Sequence, residues 1–195
     1  MVESAPSSLS LNTILPELSG ALELTPGKIY ERQRQLVKAG LLISKKGMGP
    51  GSGVQATPHN VAMVLTTILA VQRGDAVKRT KLLAAAKPLV SPCPYTGKTS
   101  FLGVLANILS GPAAFAPGSV RWWPKQIIVA HDTLEATVQW PLDQFANQTW
   151  DAEFTISGKA SPALTLGTNA TLNGSFFPRL VEALNRAGHA LTGAR

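Results

Sequence analysis

A single cysteine, Cys93, excludes an internal disulfide framework and any cysteine-cluster metal site. It stands between two prolines in SPCPYTGK with no Cys-His pattern nearby, which is the setting of an inert loop thiol. Charge is also scarce: Asp, Glu, Lys and Arg make up 15% of the 195 residues, where about 25% is ordinary. With 45% hydrophobic residues, that scarcity describes a globular chain able to bury a core, not a disordered one. No apolar run reaches the roughly 18 residues of a spanning helix, so no membrane is expected. The segment MVESAPSSLS lacks the basic-then-apolar order of a signal peptide, and a cytoplasmic protein is expected.

Catalytic signatures are missing too. The fragment Gly97-Lys98-Thr99-Ser100 resembles the end of a phosphate loop, but the glycine needed five positions before the Gly-Lys pair is Pro92. His131 lies beside Asp132 and Glu135, yet adjacent residues in a strand or turn point apart, and His59 and His189 are distant in sequence. No activated serine, recognisable carboxylate pair or dinucleotide glycine fingerprint is present. The expectation is a non-enzyme with no metal and no cofactor.

What is there is unevenly placed. Residues 1–100 hold 12 Lys and Arg against 5 Asp and Glu, while residues 101–195 hold 6 of each. The whole formal excess of +7 therefore sits in the first half. Nine of the twelve aromatics are Phe115 or later, and Tyr30 is the only one in the first 94 residues.

The basic half centres on residues 25–57. Thr25 is an N-cap candidate, Pro26 suits the first helical position, and Gly40 suits a left-handed stop, which predicts a helix over 26–39. Ile29, Gln33, Leu36, Val37 and Gly40 recur at spacings of three and four and form its inward stripe. The opposite face carries Lys28, Tyr30, Glu31, Arg32, Arg34, Gln35 and Lys38. Lys28 opposes the helix dipole, a cost that a nearby phosphate would reverse. A solvated amphipathic helix would show the same charges, so context has to decide.

Upstream, residues 11–22 read as a short helix or helix pair with Ile14, Leu15, Leu18 and Leu22 inward, and Glu23 and Leu24 make the turn into Thr25. Downstream, residues 41–46 read as a strand, 47–53 as a glycine-rich turn and 54–56 as a returning strand. In the order LPELSGALELTPGKIYERQRQLVKAGLL then ISKKGMGPGSGVQ, this resembles the winged helix-turn-helix DNA-binding transcription regulators over residues 8–57. The resemblance implies a recognition helix at 26–39 and a wing at 43–56. Thr25, Lys28, Tyr30, Glu31, Arg32, Arg34, Gln35 and Lys38 would then meet bases or phosphates of double-stranded DNA, and Lys45, Lys46, Ser52 and Gln55 would belong to the wing. The wing tip departs from the pattern in having no Arg. A homodimer on a two-fold site is expected from recognition geometry. A DNA-handling adaptor, excisionase-like or resembling a packaging-terminase small subunit, could use the same head, and a DNA-acting enzyme is the third class.

Residues 58–73 wrap apolar side chains most of the way round and predict a helix buried on nearly all sides. A basic helix at 75–86 with Lys78, Arg79 and Lys81 follows, then a proline-rich loop at 88–98 and an apolar helix at 99–110. The cluster GPAAFAPGS marks a boundary, after which strands are expected at 126–131, 134–140, 151–157 and 170–172 and a closing helix at 174–187. Trp122 and Trp123, beside Arg121 and Lys125, could stack on a base but are read as core or interface residues. The chain thus divides into a winged helix-turn-helix at 1–57, a helical middle at 58–111 and a dimerisation or partner-binding unit at 112–195, in an α+β fold with a small antiparallel C-terminal sheet.

Overall fold

A computed structural model describes residues 10–47, 52–70, 75–111, 123–141, 149–156 and 169–186. Among them the chain is mixed α+β, with six helices and two antiparallel sheets. A 3-10 turn, Leu11–Ile14, runs into α1 (Leu15–Leu22) and α2 (Pro26–Lys38), followed by a hairpin of β1 (Ser44–Lys45) and β2 (Gly53–Val54). Both hairpin strands are shorter than expected, and Ser10 adds a bridge to Gln55 beside β2.

The centre of the molecule is α3 (Pro58–Ala70), in which every residue from Val61 to Ala70 except Ile68 is buried. Its all-round apolar surface requires partners on all sides. It finds them in α2, α4 (Ala76–Ala85) and α5 (Phe101–Leu109). Thr57 starts α3 by accepting the Asn60 amide at 3.2 Å, and Ser100 starts α5 by accepting the Gly103 amide at 3.2 Å. That capping role accounts for the serine of the phosphate-loop-like fragment.

The larger sheet has the order β3-β6-β5-β4-β7, made of β3 (Lys87–Pro88), β4 (Gln126–Ala130), β5 (Ala136–Pro141), β6 (Thr149–Thr155) and β7 (Asn169–Asn173). Its register lines up one apolar row, Leu172, Ile127, Val138 and Ala152, and a second, Ala170, Val129, Ala136, Phe154 and Pro88. Strand alternation puts both rows on one face, against the helices. The alternate rows, Thr171, Ile128, Thr137 and Glu153 between them and Asn173, Gln126, Gln139 and Asp151 beside them, are mostly polar and lie on the other face. The closing helix α6 (Phe176–Arg186) buries Phe177, Leu180 and Val181 and packs on α1, α5 and β7.

One expected loop is corrected. Lys87 and Pro88, at the start of the proline-rich stretch, form the edge strand of this sheet, with Pro88 opposite Phe154. An edge is where a sheet accepts a residue with no N–H to donate. The glycine cluster at 111–119 lies, apart from Gly111, outside the described residues, as does Trp122. Trp123 stacks on Phe177 with ring centroids 6.4 Å apart and is a core residue. No helix among the described residues is long and apolar enough to cross a membrane.

Candidate nucleic-acid interface

The candidate surface is built from α2 and the β1–β2 hairpin. The C-terminal end of α2 follows its sequence: Gly40 takes φ +71, its amide donates to Val37 O at 3.0 Å, and the Leu41 amide reaches back to Leu36 O at 2.9 Å. This paired closure needs a left-handed residue and hence a glycine. The start differs from expectation. The Thr25 side chain makes no capping hydrogen bond, and the Lys28 and Ile29 amides donate to the Thr25 carbonyl instead, at 3.0 and 3.4 Å.

The turn between α1 and α2 holds Glu23 at φ 54. The Ser19 carbonyl accepts the Leu24 amide at 3.2 Å, and the Ser19 hydroxyl donates to the Leu24 carbonyl. These bonds close the tight turn that sets α2 against α1.

With Ile29, Gln33 and Leu36 buried, the helix divides its polar side chains between two flanks. Tyr30, Arg34 and Lys38 line a groove toward the hairpin residues Ser44 and Val54, an open space of about 600 Å3. Lys28 and Arg32 do not line it. Arg32 instead donates to Gln35 Oε1 at 3.3 Å, both half-buried. Arg34 lies 3.5 Å from Glu31, with side chains 67% and 56% exposed. A pair so exposed contributes about 0.3 to 0.5 kcal/mol and is readily exchanged for another anion.

Tyr30 is 43% exposed, and Lys28, Lys38, Lys45 and Lys46 are exposed. No described element turns these cations inward. Ser52 is half-buried, while 48–51 at the hairpin tip lie outside the described residues. Of the expected wing residues Gln55 is the most enclosed: it is only 9% exposed, held by the bridge to Ser10, and its carbonyl accepts Asn60 Nδ2 at 2.8 Å. It joins the hairpin to α3 and offers little to a ligand.

Sequence reading missed Asn12 and Ser44, which line the groove, and Ile43, which precedes Ser44 and is 81% exposed. Asn12 had a signal in its partner: a glutamine in an apolar helical stripe, Gln33, calls for a hydrogen-bond partner. Ile43 had none, since a short strand gives too few residues to show which face is wet.

Elsewhere the chemistry is sparse. No group of three or more His, Cys, Asp or Glu among the described residues could hold a metal ion. Cys93 is buried, its carbonyl accepting the Gly97 amide at 2.8 Å in a compact loop. No protein-family model matches this chain, and neither a curated protein nor a solved structure matches it.

Proposed function

We propose that this chain is a sequence-specific double-stranded DNA-binding transcription regulator, in which α2 is the recognition helix of a winged helix-turn-helix and the β1–β2 hairpin is its wing. The observation that carries the reading is the shared groove. Tyr30, Arg34 and Lys38 stand on one wall of it and the hairpin on the other, with Lys45 and Lys46 exposed on the hairpin.

Charge and dimensions support it. Residues 10–56 hold six Lys and Arg against three Glu, and α2 spans 13 residues, about 20 Å at 1.5 Å per residue. A helix about 10 to 12 Å across with its side chains fits a major groove about 12 Å wide. On this reading Arg34 reads a base edge, Lys28 and Lys38 meet phosphates, and Lys45 and Lys46 meet the backbone beside them. One short helix reads few base pairs, so two copies are proposed to bind a two-fold site.

The test is selection from a random-sequence duplex pool by the purified chain, followed by salt-titrated binding to the recovered fragment and a mass measurement of the complex. The expected result is a short two-fold-repeated sequence bound by two copies. With about five phosphates neutralised per copy, log K should fall by roughly 4.5 per decade of salt for each. A pool that yields no enriched sequence overturns the reading.

A further inference from the structure

We propose that Asn12 and Gln33 are positioning residues that fix the angle between α2 and the hairpin, and so set the sequence preference of the groove they floor. The inference rests on the DNA-reading role above. Gln33 lies in the apolar stripe of α2, 5% exposed, between the buried Ile29 and Leu36. Its Nε2 donates to Asn12 Oδ1 at 3.0 Å across 21 residues of sequence, while its Oε1 is buried with no hydrogen-bond partner among the described residues.

A half-satisfied amide in an apolar stripe is costly where a leucine would not be. What the amide provides is direction. Apolar packing holds α2 against the core but is indifferent to small rolls about the helix axis, whereas a hydrogen bond weakens steeply off its line.

Asn12 passes the constraint on. Its backbone N–H donates to Ser10 Oγ at 3.1 Å, the Ser10 backbone bridges to Gln55, and the Gln55 carbonyl accepts Asn60 Nδ2 at 2.8 Å. Gln33, Asn12, Ser10, Gln55 and Asn60 thus form a polar strap from α2 through the first turn of the chain to the hairpin and the start of α3. Arg34 and Lys38 on one wall of the groove and Ser44 on the other must engage one ligand together, and such two-sided sites tolerate misplacement of only about 0.5 Å.

The experiment compares three variants of the full chain for thermal midpoint and for the ratio of affinities between the selected fragment and a scrambled one. Asn12 is exposed, so Asn12→Ala removes the bond without opening the core. The expected result is a midpoint lowered by the Gln33 amide left unpaired and an affinity ratio reduced about tenfold. Asn12→Asp keeps an acceptor for Gln33 and should keep the wild-type ratio. Gln33→Leu should match or exceed the wild-type midpoint while losing the ratio as Asn12→Ala does.

A wild-type ratio in Asn12→Ala, or a ratio lost equally in Asn12→Asp, overturns the proposal. So does a lowered midpoint in Asn12→Ala with equal weakening on both DNAs, which would make the pair merely structural. A wild-type chain that prefers no sequence would instead overturn the DNA-reading role, and this inference with it.

Discussion

Arg79 and His131 converge on the last described turn of α3. The Arg79 Nε donates to the Ala70 carbonyl at 2.9 Å and a terminal guanidinium nitrogen donates to the His131 carbonyl, while His131 Nε2 lies 3.1 Å from the Leu69 carbonyl. The guanidinium thus supplies donors to two carbonyls at once, and ties α4 and the β4–β5 turn to the central helix.

Arg79 is half-buried and commits its guanidinium to these carbonyls rather than to an extended basic surface. Replacing it with methionine keeps much of the apolar stem and removes the donors. The expected cost is about 2 kcal/mol in urea unfolding, the range for hydrogen bonds from a charged group. The salt dependence of DNA binding should stay at the wild-type slope; a slope smaller by about one would return Arg79 to the nucleic-acid surface.

Two glycines separate fold constraint from mere permissiveness. A Cβ on Gly174 would fall 2.2 Å from the Pro124 carbonyl oxygen and 2.7 Å from that of Lys125, because the Gly174 amide donates to Lys125 O at 2.6 Å. Backbone cannot move aside as a side chain can. Gly174→Ala should destabilise by about 1 to 3 kcal/mol, as overpacking does. Gly20, inside α1 and with open space where its Cβ would be, should behave oppositely, Gly20→Ala stabilising by about 0.5 to 1 kcal/mol. Chemical denaturation of both variants reads the contrast.

Tyr95 gives the stability a high-pH limit. Burial, then the neighbouring Cys93 and Asp151, hold its phenol above the usual 10.0, and its ring stacks on Trp140 with centroids 5.3 Å apart. The folded state thus keeps this proton at a pH where the unfolded state releases it. Its contribution is whole below pH 10 and is lost as pH rises through the folded value. Unfolding followed across alkaline pH should show a shallower decline in Tyr95→Phe than in the wild type.

The contrast between α2 and Gln55 shows what was legible beforehand. The bounds of α2 follow from Pro26 and Gly40, signals that act on their own backbone, and the strands after residue 125 follow from alternation set by a single buried face. Gln55 gave no sign of its enclosure because nothing near it in sequence announces Ser10 as a strand partner 45 positions earlier. Pro88 hid β3 in the same way, since its partner Phe154 lies far along the chain. Arg79 was indistinguishable from Lys78 and Lys81 until Ala70 and His131 were placed. Local conformational chemistry is written in the chain in order, whereas long-range pairing is a property of the assembled core.

The hairpin lysines and the α2 arginine should respond differently to charge removal. Lys45 and Lys46 stand exposed on a two-residue strand and the position after it, where a flexible ammonium meets phosphate without reading sequence. Lys45→Ala and Lys46→Ala should each weaken binding to selected and scrambled DNA alike, and each should lower the salt slope by about one. Arg34 is different in kind: its guanidinium is held 3.5 Å from Glu31 on the groove wall, with the planar fork that pairs with guanine. Arg34→Ala should cost about 1 to 3 kcal/mol on the selected sequence and much less on the scrambled one. Arg34→Lys, which keeps the charge and loses the fork, should restore the salt slope but not the preference. Fluorescence anisotropy on both duplexes across a salt series separates the two behaviours. If all four variants lose affinity equally on both DNAs, α2 contributes charge alone and reads no bases.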